Sequence, residues 1–174
     1  MAFAPFVFST APFRPRPMPA QILFDISAID LNQTAFDEAA ILDANPQRGE
    51  MKHLDRIVWA DAERGEIIGV KEVKKDEFWV PGHIPGRPLL PGVVMIEAGA
   101  QLSSFYAKKV LGWTGFLGFG GCDEVRFRAQ VPPGKRMYIL GKKLWVRRTI
   151  FASAVQGIVD GNICFDAKIT GAIL

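Results

Sequence analysis

A chain of 174 residues that is 49% hydrophobic and 22% charged is sized for a single domain able to bury a real core. Its formal charge of +3 is small, and no basic run interleaves with aromatics, so nucleic-acid binding is excluded as the main function. Cys122 and Cys164 lie at no metal or redox spacing, and His53 and His83 form no HExxH-like arrangement, so neither a metal nor another cofactor is expected. Unbridged cysteines point to a reducing compartment.

In chain order, residues 1–20 hold five prolines and Phe3, Phe6, Phe8 and Phe13 with no helical or strand period. They read as an N-terminal extension with neither a secretory layout nor an acid before Asp25, ahead of one domain over 21–174. Residues 34–44 read as a short helix opened by Thr34, with Asp37 three positions on. Strands are expected at 57–60 and 65–73, across the turn-like Asp61-Ala62-Glu63-Arg64.

Residues 78–101 carry the densest information. Pro81, Pro85, Pro88 and Pro91 fix φ at short intervals, so the loop that bears His83 is stiff and can aim a side chain. Pro91 suits the start of a helix predicted over 93–110. That helix is apolar on nearly all faces before Lys108, which marks it as a core helix, too short and too polar to span a membrane. A carboxyl at Glu97 inside it is costly unless neutral, hydrogen-bonded or working. Gln101 follows by four residues on the same face and can hold it. The Gly92 N–H points out of a helix N-terminus, where developing negative charge is favoured. The plain alternatives are a loop histidine, a solvated glutamate and a turn glycine; the three together favour a site for acid/base chemistry.

Beyond the helix, Val125, Phe127, Ala129 and Val131 alternate with polar residues, a half-buried strand. Further strands are expected at 136–147, 149–159 and 162–171, with Asp160-Gly161 as a hairpin turn. Strands before and after one buried helix give an α+β layout, an antiparallel sheet wrapped around that helix, with strand order left open.

The run Gly82-His83-Ile84-Pro85-Gly86-Arg87-Pro88, then Pro91-Gly92-Val93 and Glu97-Ala98-Gly99-Ala100-Gln101, resembles the signature of the 3-hydroxyacyl-(acyl carrier protein) dehydratases. Within them it is similar to the FabZ branch, with Glu on the helix, rather than the FabA branch, with Asp. Phe119-Gly120-Gly121-Cys122-Asp123-Glu124-Val125-Arg126-Phe127 and Val131-Pro132-Pro133-Gly134 extend the likeness, and Asn45-Pro46-Gln47-Arg48 and Leu54-Asp55-Arg56-Ile57 add a weaker match. It covers about residues 40–172.

The resemblance implies a hotdog fold and a cytoplasmic lyase of fatty acid biosynthesis that forms trans-2-enoyl thioesters on acyl carrier protein. It implies His83 as base, Glu97 as acid, the Gly92 N–H as oxyanion donor and Gln101 in support. It also implies a homodimer whose sites combine His83 of one chain with Glu97 of the other, assembled as a trimer of dimers. Met95, Phe105, Phe116 and Phe119 are candidates to line an acyl tunnel, against the plainer reading of core residues. Arg48, Asp55 and Phe127 read as structural. Arg87, Lys108, Lys109, Arg126 and Arg128 are candidates by charge alone for carrier-protein docking. Two departures stand out: Pro46-Gln47-Arg48 replaces the family's common Pro-His-Arg, and Glu50-Met51-Lys52-His53 replaces an apolar run. Two rivals remain, a hotdog acyl thioesterase in which Glu97 activates water, and a non-catalytic acyl-binding subunit.

Overall fold

The computed structural model describes residues 21–174; the extension expected over 1–20 lies outside the described residues. Six strands form one antiparallel sheet: β1 (Arg56–Asp61), β2 (Glu66–Glu72), β3 (Leu117–Phe127), β4 (Arg136–Arg147), β5 (Ile150–Val159) and β6 (Asn162–Ile173). Their spatial order is β1-β2-β4-β5-β6-β3. A short helix α1 (Glu38–Ala44) precedes the sheet, and the long helix α2 (Gly92–Phe105) sits between β2 and β3 in sequence. The sheet wraps α2, burying Val94, Met95, Ala98, Leu102 and Phe105 against Ile57, Ile67, Ile139, Val155 and Phe165. This is the layout the apolar helix and the flanking strand patterns predict.

Several boundaries shift for physical reasons. The N-cap of α1 is Asp37, whose Oδ1 accepts from the Ala40 N–H at 3.0 Å. Thr34 cannot open the helix because the chain beside it is already paired: the Ala35 N–H donates to Ile57 O at 2.8 Å and the Ile57 N–H to Phe36 O at 2.9 Å. Helix α2 ends as an α-helix at Phe105 and continues as one π-type turn over Tyr106–Val110. The third strand begins earlier and ends sooner than alternation predicts. Phe127 and Ala129 are exposed, only Val131 of that set is buried, and β3 is bulged between Phe119 and Gly121 and between Asp123 and Arg126. The hairpin at Asp160-Gly161 forms with positive φ at both residues, 49° and 75°, the conformation a tight two-residue turn requires.

Candidate active site

The loop from Glu77 to Leu90 is built outward from buried anchors. Trp79 is 4% exposed and its indole N–H donates to Glu77 Oε2 at 2.9 Å. Lys71 reaches the same oxygen at 2.8 Å from β2, and the Lys74 N–H meets Glu77 Oε1. Burial opposes ionisation of Glu77, but these donors together hold its carboxyl below the ordinary range. The Trp79 carbonyl then accepts the His83 N–H at 2.9 Å, and the Leu90 N–H closes the far end on Val131 O at 2.8 Å. His83 therefore stands in solvent on a braced loop. Its Nδ1 lies 2.9 Å from Leu89 O. A carbonyl only accepts, so Nδ1 carries a proton, and in the neutral ring the lone pair is on Nε2.

Glu97 is half-buried on α2 and hydrogen-bonded, which answers the cost of its burial. Gln101 Nε2 donates to Glu97 Oε1 at 2.8 Å, as the four-residue spacing predicts. Gln101 is also the hub of a wider network: Nε2 donates to Met51 O at 2.7 Å, Oε1 accepts the His53 N–H at 2.9 Å, and its carbonyl accepts Asn45 Nδ2 at 2.9 Å. The segment 45–53 is thus tied to α2. Arg48 has the structural role expected of it, its guanidinium donating to the carbonyls of Leu42, Asn45 and Gln47. Asp55 likewise accepts the Glu72 N–H at 2.7 Å and joins the start of β1 to β2.

Glu97 borders a cavity of about 50 Å³ with Gln47, Ser104, Phe119 and Thr170. Phe119 is 56% exposed there and Phe116 is exposed outside the lining, whereas Met95 and Phe105 fill the core. Phe105 stacks edge-on against Phe36, with centroids 5.3 Å apart. Gly92 begins α2, and its N–H has no acceptor within the helix. The Phe127 ring lies over it so closely that a Cβ at Gly92 would come within 2.5 Å of Phe127 Cζ. His83 and Gly92 do not border the Glu97 cavity. Two larger clefts, of about 280 and 480 Å³, contain none of His83, Gly92 and Glu97, and the buried charges Lys71 and Glu77 of the first are paired with each other. The site residue that sequence reasoning missed is Gln47, whose Nε2 lies 3.3 Å from Glu97 Oε1; its only signal was its place in the altered Pro46-Gln47-Arg48 run. Among the described residues there is no metal-ligating cluster, and no helix is long and apolar enough to cross a membrane.

An antiparallel sheet wrapped around one long helix is the hotdog layout, and the comparisons with known proteins place it among the dehydratases. Solved structures share this fold: a dehydratase heterocomplex, ApeI:P, of Xenorhabdus doucetiae superposes with a TM-score of 0.65 at 15% identity, over 77% of this chain and 90% of that one. A sigma28-regulated virulence protein of Campylobacter jejuni gives a TM-score of 0.61 at 14% identity, over 84% and 96%. The chain belongs to the FabA-like domain family, which it matches over residues 45–170. It is 35% identical to the 3-hydroxyacyl-(acyl-carrier-protein) dehydratase FabZ of Desulforamulus reducens, over 79% of this chain and 96% of that protein. With the enzyme of the same name from Syntrophobacter fumaroxidans it shares 34% identity, over 79% and 93%.

Proposed function

We propose that this protein dehydrates 3-hydroxyacyl-(acyl carrier protein) thioesters to trans-2-enoyl thioesters in fatty acid biosynthesis. Nε2 of His83 takes the C2 proton, and the electron pair of that C–H bond moves toward the thioester carbonyl. The Gly92 N–H, at the positive end of α2, stabilises the oxygen on which charge develops. As the C2=C3 bond forms, the C3–O bond breaks, and Glu97 gives its proton so that the hydroxyl leaves as water. The observation that carries this reading is the His83 Nδ1–H bond to Leu89 O, which supports the tautomer whose Nε2 lone pair can act as base.

Because His83 lies outside the Glu97 cavity of its own chain, the reading places the complete site between two subunits, His83 from one and Glu97 from the other. Among the described residues β3 is an edge strand paired only to β6, and its exposed Phe119 and Phe127 support such pairing.

The test is enoyl formation from 3-hydroxyacyl carrier protein substrates. His83→Ala and Glu97→Gln should each fold and each lower turnover about 100-fold or more, the scale of losing a general acid or base. Near-normal enoyl formation by His83→Ala, with free thiol appearing in an amount that depends on Glu97, would instead establish a thioesterase.

A further inference from the structure

We propose that Gln47 is a positioning residue for Glu97, fixing the acid's proton on Oε2; this rests on the reading of Glu97 as the general acid. Gln101 cannot turn its amide over. Its Oε1 accepts the His53 N–H, and its two N–H groups serve Met51 O and Glu97 Oε1. A second N–H reaches Glu97 Oε1 from Gln47 Nε2 at 3.3 Å. A carboxyl oxygen has two lone pairs, so Oε1 is then occupied by two donors and the acidic proton belongs on Oε2. Among the described residues, Oε2 makes no hydrogen bond and remains available to the substrate hydroxyl.

The alternative arrangement is what Gln47 prevents. With Gln101 as the sole donor, Oε1 would keep a lone pair and could carry the proton itself, leaving Oε2 bare toward the substrate. If the Gln47 amide were reversed, its Oε1 would face Glu97 Oε1, repelling the carboxylate or drawing the proton to the wrong oxygen. The orientation with nitrogen inward leaves Gln47 Oε1 buried and, among the described residues, without a partner, a cost that the bond to Glu97 must offset. The bond to Glu97 Oε1 sets that orientation, and the backbone sets the direction of the side chain. Pro46 restricts the chain before Gln47, Asn45 is bonded to the Gln101 carbonyl, and Arg48 binds the carbonyls on both sides of Pro46. The side chain is launched toward Glu97 from a backbone that is pinned before and after it. As Glu97 gives up its proton, both amides also face a growing negative charge, so the contact strengthens in the transition state.

Gln47→Met keeps the shape and removes the donor. Its kcat should fall about tenfold, the scale of one hydrogen bond to a charged group, with KM within about twofold. In the Glu97→Gln background the same substitution should change kcat by less than about twofold, because no acidic proton remains to be placed. Gln47→Leu, which likewise offers no donor, should lose as much as Gln47→Met, and it carries the test if the methionine variant does not fold. Gln47→His, which offers a ring N–H, should recover most of the loss. An equal fall in both backgrounds would show a merely structural role and overturn the proposal, as would unchanged kcat in either Gln47→Met or Gln47→Leu. If Glu97→Gln alone kept near-normal turnover, the acid assignment itself would fail; a defective Glu97→Gln beside a fully active Gln47→Met would overturn only the role of Gln47.

Discussion

At the scale of single residues, His53 is where burial and charge conflict most openly. It is 2% exposed and among the described residues its Nδ1 has no partner, although its backbone N–H serves Gln101. Burial lowers its pKa from 6.5 to about 4; the Lys71 ammonium adds to the shift, and Glu77 and Asp55 oppose it. The folded protein therefore binds fewer protons here than the unfolded chain between about pH 6.5 and pH 4. The stability contributed by neutral His53 is complete above the unfolded value and is lost as pH falls through that window. His53→Leu fills the site without an orphaned nitrogen. Its melting temperature should equal or exceed that of the parent at pH 7 and should fall less between pH 6.5 and 4; parallel melting curves for the two proteins over that range would show that His53 is not the group responsible. The sequence marked His53 only as a departure from an apolar run. What it could not show is that the ring is enclosed, because this depends on strand β2 and the 74–79 loop closing over it. Glu97 was more legible: an acidic residue in an apolar helix with glutamine four residues on already implies a braced carboxyl.

Among the elements, legibility followed how much of the pattern was local. Strand β4 occupies the span its sequence predicts, and the hairpin at Asp160-Gly161 turns where its dipeptide says, because both signals reside in consecutive residues. Strand β3 was misplaced because alternation marks only residues 125–131, whereas pairing with β6 holds the glycine-bearing stretch from Leu117 extended. The start of α1 moved for a similar reason, once Ala35 and Phe36 were claimed by Ile57. A subtler signal lay in two strand glycines. Leu102 of α2 presses on Gly69 of β2 and Gly141 of β4, where an added Cβ would sit 2.8 and 3.3 Å from its Cδ atoms; the Ile67 side chain would also be 2.9 Å from a Cβ at Gly141. The helix can be wrapped this closely because those strands lack side chains there. Gly141→Ala should therefore destabilise the fold by about 1–3 kcal/mol through overpacking. Combining it with Leu102→Ala should cost less than the sum of the two single changes, measured by denaturant unfolding; strict additivity would mean that the helix and strand do not meet as described.

For the whole molecule, the proposed reading divides the chemistry into two halves, His83 on its loop and Glu97 on α2. The residue types and their order were readable from the motif, but on that reading their union rests on a surface shared with a second copy, which no periodicity within one chain encodes. His83 stands exposed on its braced loop, outside the cavity that Glu97 borders. Around a two-fold axis, each loop could meet the other chain's helix, giving two equivalent sites per dimer. Co-refolding equal amounts of His83→Ala and Glu97→Gln chains distinguishes this arrangement from any site built within one chain. Random pairing makes about half of the dimers mixed, and each mixed dimer contains one doubly defective site and one intact site. Specific activity should thus rise to roughly a quarter of the wild-type value, far above that of either mutant refolded alone. If His83 and Glu97 of the same chain worked together, every site in every mixed dimer would carry one defect. Activity would then stay at the average of the two separate mutants, and the shared-site arrangement would be excluded.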